Sequence, residues 1–278
     1  MPDEKNFETL LARYRGATPM PDFRVVRQEP RRPRRWPYAV AAAIVLAIGI
    51  AVLVPRPRTL RDGEIVQTNR LRVRVNAPSI GVVDVLPHTT LQLVQSSHDH
   101  YLLELREGSI HAKTTSPPGV FVVNTPKAIA TDLGCEYTLS VDTSGIGSLH
   151  VTAGWVGLRY GFMQTLVPAN AHAEMDRDGN LSAPVFDDAP FTSVDSLDTI
   201  LRKARRKDAF TLLNLLPRAE NADERARIFD RLNALVPAPA NITREAVRDR
   251  WSMGTGDAWW PPVLKASGLT AIKKKRPV

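Results

Sequence analysis

A mainly β protein with one transmembrane helix and a small all-α C-terminal region is predicted from three observations. From Gly63 to Val185 the apolar residues come in short alternating runs separated by turn residues, the pattern of half-buried strands. Residues 36–55 carry no charge at all. After Asp187 and Asp188 the apolar period changes from two to about 3.6, the period of a helix. These breaks divide the 278 residues into a basic tail (1–35), an apolar span (36–55), a β region (56–186) and a helical region (187–278).

Composition narrows the function classes. Hydrophobic residues at 43% against 24% charged supply a packed core and exclude wholesale disorder, despite 22 Pro. The single cysteine, Cys135, excludes an intramolecular disulfide and leaves too few thiolates for a zinc cluster. The net charge is +8, distributed as +4 over residues 1–35, −1 over 56–186 and +5 over 187–278. The β region is thus electrically neutral, and the basic excess lies beside the apolar span and at the far end.

The span reads "WPYAVAAAIVLAIGIAVLVP". At about 1.5 Å per residue it is long enough for a bilayer core of roughly 30 Å. Trp36 and Tyr38 stand where an aromatic belt sits. Arginines flank it on both sides, which a buried soluble helix would have to drag inward, and "VLVPRPRT" offers no small-residue signal-peptide cleavage site. Four arginines precede it closely (Arg31, Arg32, Arg34, Arg35) and two follow (Arg56, Arg58), so the N-terminus is expected inside. The four are expected to meet anionic lipid headgroups, at roughly 1 kcal/mol each. Upstream, "NFETLLARYR" spaces Phe7, Leu10, Leu11 and Tyr14 three and four apart. Such a face either docks in a partner's groove or lies near the headgroups.

In the β region, "RLRVRVN" (70–76) alternates without error, and "TLQLV", "YLLELREGSI", "VFVVNTP", "YTLSVD", "SLHVTAGWVGLRY" and "QTLVP" follow. The turns between them are "SSHDH", "SPPG", "TSGIG" and "DRDGN". About eight to ten strands of this kind form a sandwich, a barrel or a solenoid, and periodicity does not choose among them. Gly108 and Gly154 each join two runs, as corners that need positive φ or close backbone approach; Thr125-Pro126 ends the "FVV" run, and Gly134 turns the chain into "CEYTLSV".

Four blocks in order carry a family resemblance: "IGVVDVLPHTTLQLV" (80–94), "LLELREGSIHAKT" (102–114), "FVVNTPKAIATDLGCEYTLSVD" (121–142) and "LHVTAGWVGL" (149–158). Together they resemble the FecR domain. The resemblance implies a twisted, solenoid-like stack of short strands. It also implies the arrangement of the family's periplasmic iron-dicitrate regulators: a short cytoplasmic tail, often restraining a sigma factor, then one membrane span and the β domain outside. Two features depart from the family. Cys135 stands where threonine is common, and the C-terminal part turns helical where the iron-uptake regulators have an α/β module contacting an outer-membrane receptor. Such a receptor is therefore not carried over.

The helical region reads as three helices. "SVDSLDTILRKARRKDAFTLLNLLPRA" has Ser193 or Ser196 as its cap and a stripe of Leu197, Ile200, Leu201 and Ala204. "ADERARIFDRLNALVP" turns Ile228, Leu232 and Leu235 inward, and "TREAVRDRW" starts on Thr243 with an incomplete capping box, since Ala246 stands three residues on. Trp251, Trp259 and Trp260 are expected to pack this small bundle.

Little in the sequence points to catalysis. His98, Asp99 and His100 read as a solvated hairpin tip, with no third ligand near. His111 and His150 lie in predicted strands and could face one another, but no serine or cysteine sits in a nucleophile elbow. Cys135 is expected to be a buried, inert thiol. Asp187 and Asp188 mark a linker, and 176–180 is too short for a calcium loop. The terminal "KKKRP" reads as a solvated tail outside the cytoplasm, and nucleic acid is not expected as a partner. No catalytic, cofactor-binding or metal-binding residue is assigned. The expectation is a non-enzymatic, single-pass regulator of the inner membrane. Its residues 56–278 lie outside the cytoplasm and sense or bind a partner, and a sigma factor or other protein is engaged inside. The alternative is an envelope scaffold that transmits nothing.

Overall fold

In the computed structural model, residues 57–97, 99–251 and 257–269 are described. Thirteen strands make one sheet: β1 (Ile65–Gln67), β2 (Val73–Ala77), β3 (Gly81–Val85), β4 (Thr90–Ser96), β5 (Tyr101–Thr114), β6 (Phe121–Asn124), β7 (Ile129–Asp132), β8 (Glu136–Val141), β9 (Gly147–Ala153), β10 (Trp155–Tyr160), β11 (Met163–Pro168), β12 (Ala171–Met175) and β13 (Val185–Phe186). The main path runs β11-β10-β7-β6-β5-β8-β9-β12-β13. β11, at one end of that path, packs against β9 and β12 near the other, so the sheet curls into a half-barrel around its apolar face.

β5 is the hub. Its first half pairs with β4 and, in parallel, with β6; its second half pairs antiparallel with β3 and β8. The alternation of its side chains records the change of partners. Tyr101, Leu103 and Leu105 face the core at odd positions, and Ile110, Ala112 and Thr114 at even ones. Between them lie a bulge, where Thr90 pairs with Glu107 but Leu91 with Leu105 so that Arg106 is the extra residue, and then Gly108 at φ +94°. One extra residue flips which neighbours point inward, and without it half the strand would turn its polar side to the core. Gly154 (φ +76°) separates β9 from β10, where a Cβ would lie 2.2 Å from the Gly134 carbonyl oxygen. The corner role expected for Gly154 is therefore met. Gly108 instead bends one continuous strand.

The helices are α1 (Leu197–Lys203), α2 (Ala209–Leu215), α3 (Ala222–Leu235), α4 (Arg244–Asp249) and α5 (Trp260–Ala266). Ser196 caps α1, its hydroxyl accepting from Thr199 N–H; Asn221 caps α3, and Thr243 caps α4 through Ala246 N–H. The long first helix expected from the sequence is broken. Arg205 N–H and guanidinium both donate to the Asp208 carboxylate (2.8 and 3.1 Å), and that side chain is fully buried, so the chain leaves the helix after Lys203 to bring the pair together. Phe210 then joins helices to sheet, with Trp155 at 5.7 Å and Trp260 at 5.3 Å, both edge-on. One apolar core extends from Leu60 to Leu264, so the expected helical bundle is a layer packed on the sheet.

The predicted fold class needs correction on two points. Every strand pair in the sheet is antiparallel except β5–β6, and a solenoid of stacked coils would pair strands in parallel, so the β region is a single curled sheet. Among the described residues no helix is long and apolar enough to cross a membrane, so the fold carries no transmembrane helix there. The span expected at 36–55 lies outside the described residues.

Candidate functional site

Alternation along β3, β5, β8, β9 and β12 sends Val83, Ile110, Leu139, Leu149 and Ala173 into the core and polar residues to the other face. Register then aligns those polar residues across strands. Arg74 pairs with Asp84, Asp84 with His111, His111 with Thr138, Thr138 with His150 and His150 with His172. Six strands therefore carry one row of polar side chains with three imidazoles in it. His111 and His150, which their strands could have set face to face, are separated by Thr138. A second row, Ser109, Ser140, Ser148 and Glu174, runs beside the first, with the Ser109 hydroxyl donating to Ser140 at 2.7 Å.

The row is internally paired. Arg74 holds Asp84 in a two-pronged bond, Nε to Oδ1 at 2.7 Å and Nη2 to Oδ2 at 2.8 Å. His111 sits 3.2 Å from both Thr138 Oγ1 and Glu136 Oε1, and Lys113 Nζ takes the other Glu136 oxygen at 2.9 Å. Asp187 reaches back from beyond β13 and meets His150 Nε2 at 2.9 Å and His172 Nδ1 at 3.5 Å. Its backbone N–H is fixed on the Asn170 carbonyl at 3.0 Å. Asp187 and Asp188 also rim a cavity of about 670 Å³ with Trp155, Asn170, Lys207 and Ser267. Asp188 pairs with Lys207, and its carbonyl accepts from Arg205 at 2.6 Å. The acidic pair read from sequence as a linker is thus a clasp between sheet and helices. Its signal was there only as a pair of acids, because the histidines it meets lie 15 to 37 residues away in sequence.

Electrostatics follow from these contacts. The Arg74 hydrogen bonds hold the Asp84 carboxyl below its ordinary value, and the Lys113 hydrogen bond does the same for Glu136. A depressed carboxylate stabilises the fold above its unfolded value near 3.8 and loses that contribution as pH falls through the lower folded value. Asp84→Asn is therefore expected to cost about 1–2 kcal/mol at pH 7 and progressively less below about pH 4, read by urea denaturation at both pH values. A gap that stays constant with pH would show that the pair does not act through charge.

Among the described residues the face assembles no acyl-transfer site. Glu136, His111 and Thr138 place an imidazole between a carboxylate and a hydroxyl, but Thr138 is mid-strand between β5 and β9, so the backbone around it is committed to sheet pairing and offers no oxyanion site. Cys135 is buried, and burial together with the Asp132 charge pushes its thiol far above the ordinary range, which removes the thiolate a nucleophile needs. Asp132 is itself fully buried, accepting from Thr114 Oγ1 at 2.5 Å and from Gly134 N–H. Burial raises its carboxyl, so its charge costs stability at neutral pH, a cost relieved as pH falls through the raised value. Among the described residues no three His, Cys, Asp or Glu side chains are arranged to hold a metal ion. Asp99 and His100 lie in the turn between β4 and β5, where Ser97 N–H donates to the His100 carbonyl at 2.7 Å. His98, the headgroup arginines Arg31, Arg32, Arg34 and Arg35, and the docking residues Phe7, Leu10, Leu11 and Tyr14 lie outside the described residues.

Two solved structures are similar to this chain. Both are crystal structures, at 1.65 and 2.50 Å resolution, of a protein from Parabacteroides distasonis ATCC 8503 named "putative anti-sigma factor". Each has 17% sequence identity and a TM-score of 0.38, and covers 44% of this chain. The chain spans 59% of the length of that protein. No family model matches the chain, and no curated protein matches it.

Proposed function

We propose that the chain is a non-catalytic regulator of the FecR type, whose β region binds or senses a partner and whose N-terminal segment acts on a sigma-factor-like protein. The observation that carries this reading is the order of the four FecR-like blocks. They occupy β3–β4, β5, β6–β8 and β9–β10, consecutive elements built around the β5 hub, with Gly108 and Gly154 at bends that only glycine fits easily. An open, self-paired polar face is the surface such a binding module would use, since its groups are held in place without an enclosed pocket around a nucleophile. The docking part of the reading rests on Phe7, Leu10, Leu11 and Tyr14, spaced along one side of 6–15.

Removing residues 1–30 separates this reading from scaffolding. The truncated chain is expected to change transcription of the neighbouring genes several-fold while residues 57–269 keep their circular-dichroism spectrum. Unchanged transcription from a folded, truncated chain would favour an envelope scaffold instead.

A further inference from the structure

Most arginines whose contacts are described on this fold have an acid. Arg74, Arg227 and Arg244, each with a side chain between two-fifths and one-half exposed, pair with Asp84, Asp198 and Asp230. Arg218 does not. It ends a short 3-10 turn (Leu216–Arg218), and the residue is only partly exposed. Its partners are all neutral: Nε donates to the Leu181 carbonyl at 2.8 Å, Nη1 to the Asn214 carbonyl at 2.5 Å, and Nη2 to the Thr165 hydroxyl. Among the described residues no carboxylate lies within ion-pair distance of it. Asn214 belongs to the last turn of α2, so helix-end carbonyls offset a fraction of the charge and no more. Burial without an anion lowers its pKa to about 10. A guanidinium has five N–H donors, and three are used. Charges are rarely withdrawn from water without a counter-ion, because desolvation is costly unless it is compensated.

The surroundings show what would compensate it. Arg218 lines a cavity of about 360 Å³ together with Phe162, Met163, Gln164 and Pro217. Gln164 and Pro217 also line a second cavity of about 250 Å³, so the two adjoin along β11. The second is walled by Leu166, Leu213 and Trp260, with the Trp251 indole N–H buried beside them and lacking an acceptor among the described residues. Phe162, at the β10–β11 turn, is fully exposed at the groove's mouth, while Tyr160 before it lies against Gly179. The groove therefore combines an uncompensated cation with apolar walls. Asp257 is the acid on its rim, and it does not reach Arg218.

We propose that this groove between β11 and α2 binds an acidic, apolar peptide segment of a partner protein, with a partner carboxylate on Arg218 and apolar side chains between Phe162 and Trp260. A carboxylate fits the two free N–H donors and supplies the charge the site lacks. The second cavity would hold a leucine- or phenylalanine-sized side chain next to that acid. The inference goes beyond the proposed regulatory role, giving the β region a partner surface other than the polar row, and it does not involve the N-terminal segment.

The full chain is titrated with acetyl-Leu-Glu-Leu-Asp-Phe-amide and with its Gln/Asn counterpart, binding being read by isothermal titration calorimetry. The acidic peptide is expected to bind at least tenfold more tightly. That preference is expected to vanish in Arg218→Gln, and Phe162→Ser, at a position the fold does not bury, is expected to weaken both peptides severalfold. Equal affinities, no binding of either peptide, or a preference that survives Arg218→Gln would overturn the proposal. Should Arg218→Gln fail to fold, Phe162→Ser decides, and unchanged affinity for the acidic peptide in that variant overturns it. Because the readout is peptide binding, its failure leaves the transcriptional test of the N-terminal segment unaffected.

Discussion

Gly108→Ala is expected to destabilise the protein by roughly 3–5 kcal/mol, far more than the added methyl group would cost in an ordinary strand. Two penalties combine. The residue sits at φ +94°, a conformation that costs an L side chain on the order of 1–2 kcal/mol. The new Cβ would also lie 2.4 Å from Thr89 Cα and 2.5 Å from the His88 carbonyl oxygen, both backbone atoms that cannot swing aside. His88 is itself at φ +56°, so the facing loop has little freedom to retreat. Since β5 carries β3, β4, β6 and β8, any relief obtained by shifting it is transmitted to four pairings at once. Gly119→Ala supplies the comparison: φ is +84° there too, but nothing lies within 4 Å of the new Cβ, so only the conformational cost of about 1–2 kcal/mol is expected. Chemical denaturation of the two variants beside the unsubstituted protein measures the difference, and similar losses in both would show that the close approach at β5 is not what fixes the bend.

Trp259→Ala is the second large effect, expected at about 4–6 kcal/mol from a lost aromatic side chain and an orphaned carbonyl together. Trp259 is fully buried and leads the largest fully buried side chains. Its ring meets Phe229 of α3 edge-on at 5.2 Å, and its indole N–H donates to the Val236 carbonyl at 3.0 Å, beyond the end of α3. One side chain thus ties α3 to the start of α5. The loss should be local: hydrogen exchange is expected to speed up first in α3 and α5, with the β5 amides protected by their double-sided pairing. Trp259→Phe keeps most of the apolar volume but not the donor, and is expected to cost about 1–3 kcal/mol. Uniform loss of protection over sheet and helices would instead mean that the two layers unfold as one cooperative unit.

Much of the strand content was legible because period-two alternation is written into the residues themselves. "RLRVRVN", "TLQLV" and "YTLSVD" correspond to β2, β4 and β8, and β12 escaped because "AHAEM" is built from Ala, His, Glu and Met, none of them a strong strand former. Helix caps at Ser196 and Thr243 were equally local, one hydroxyl and one N–H three residues on. The Ile228, Leu232 and Leu235 stripe is legible for the same reason: spacing along one helix defines its face, with Ile228 and Leu232 buried and Leu235 packed against the core.

Tertiary structure alone decided how strands pair and which distant groups meet. Alternation says which side of a strand is apolar but not which strand lies beside it, so a solenoid and a curled sheet look alike until the antiparallel register is known. The same ignorance hid the row from Arg74 to His172, whose members belong together only because five successive pairings bring them level. Arg218 is the sharpest case. In the sequence it is one more basic residue after a proline, and only folding, which places neutral oxygens from Leu181, Asn214 and Thr165 around it with no acid among them, turns it into a charge awaiting a counter-ion.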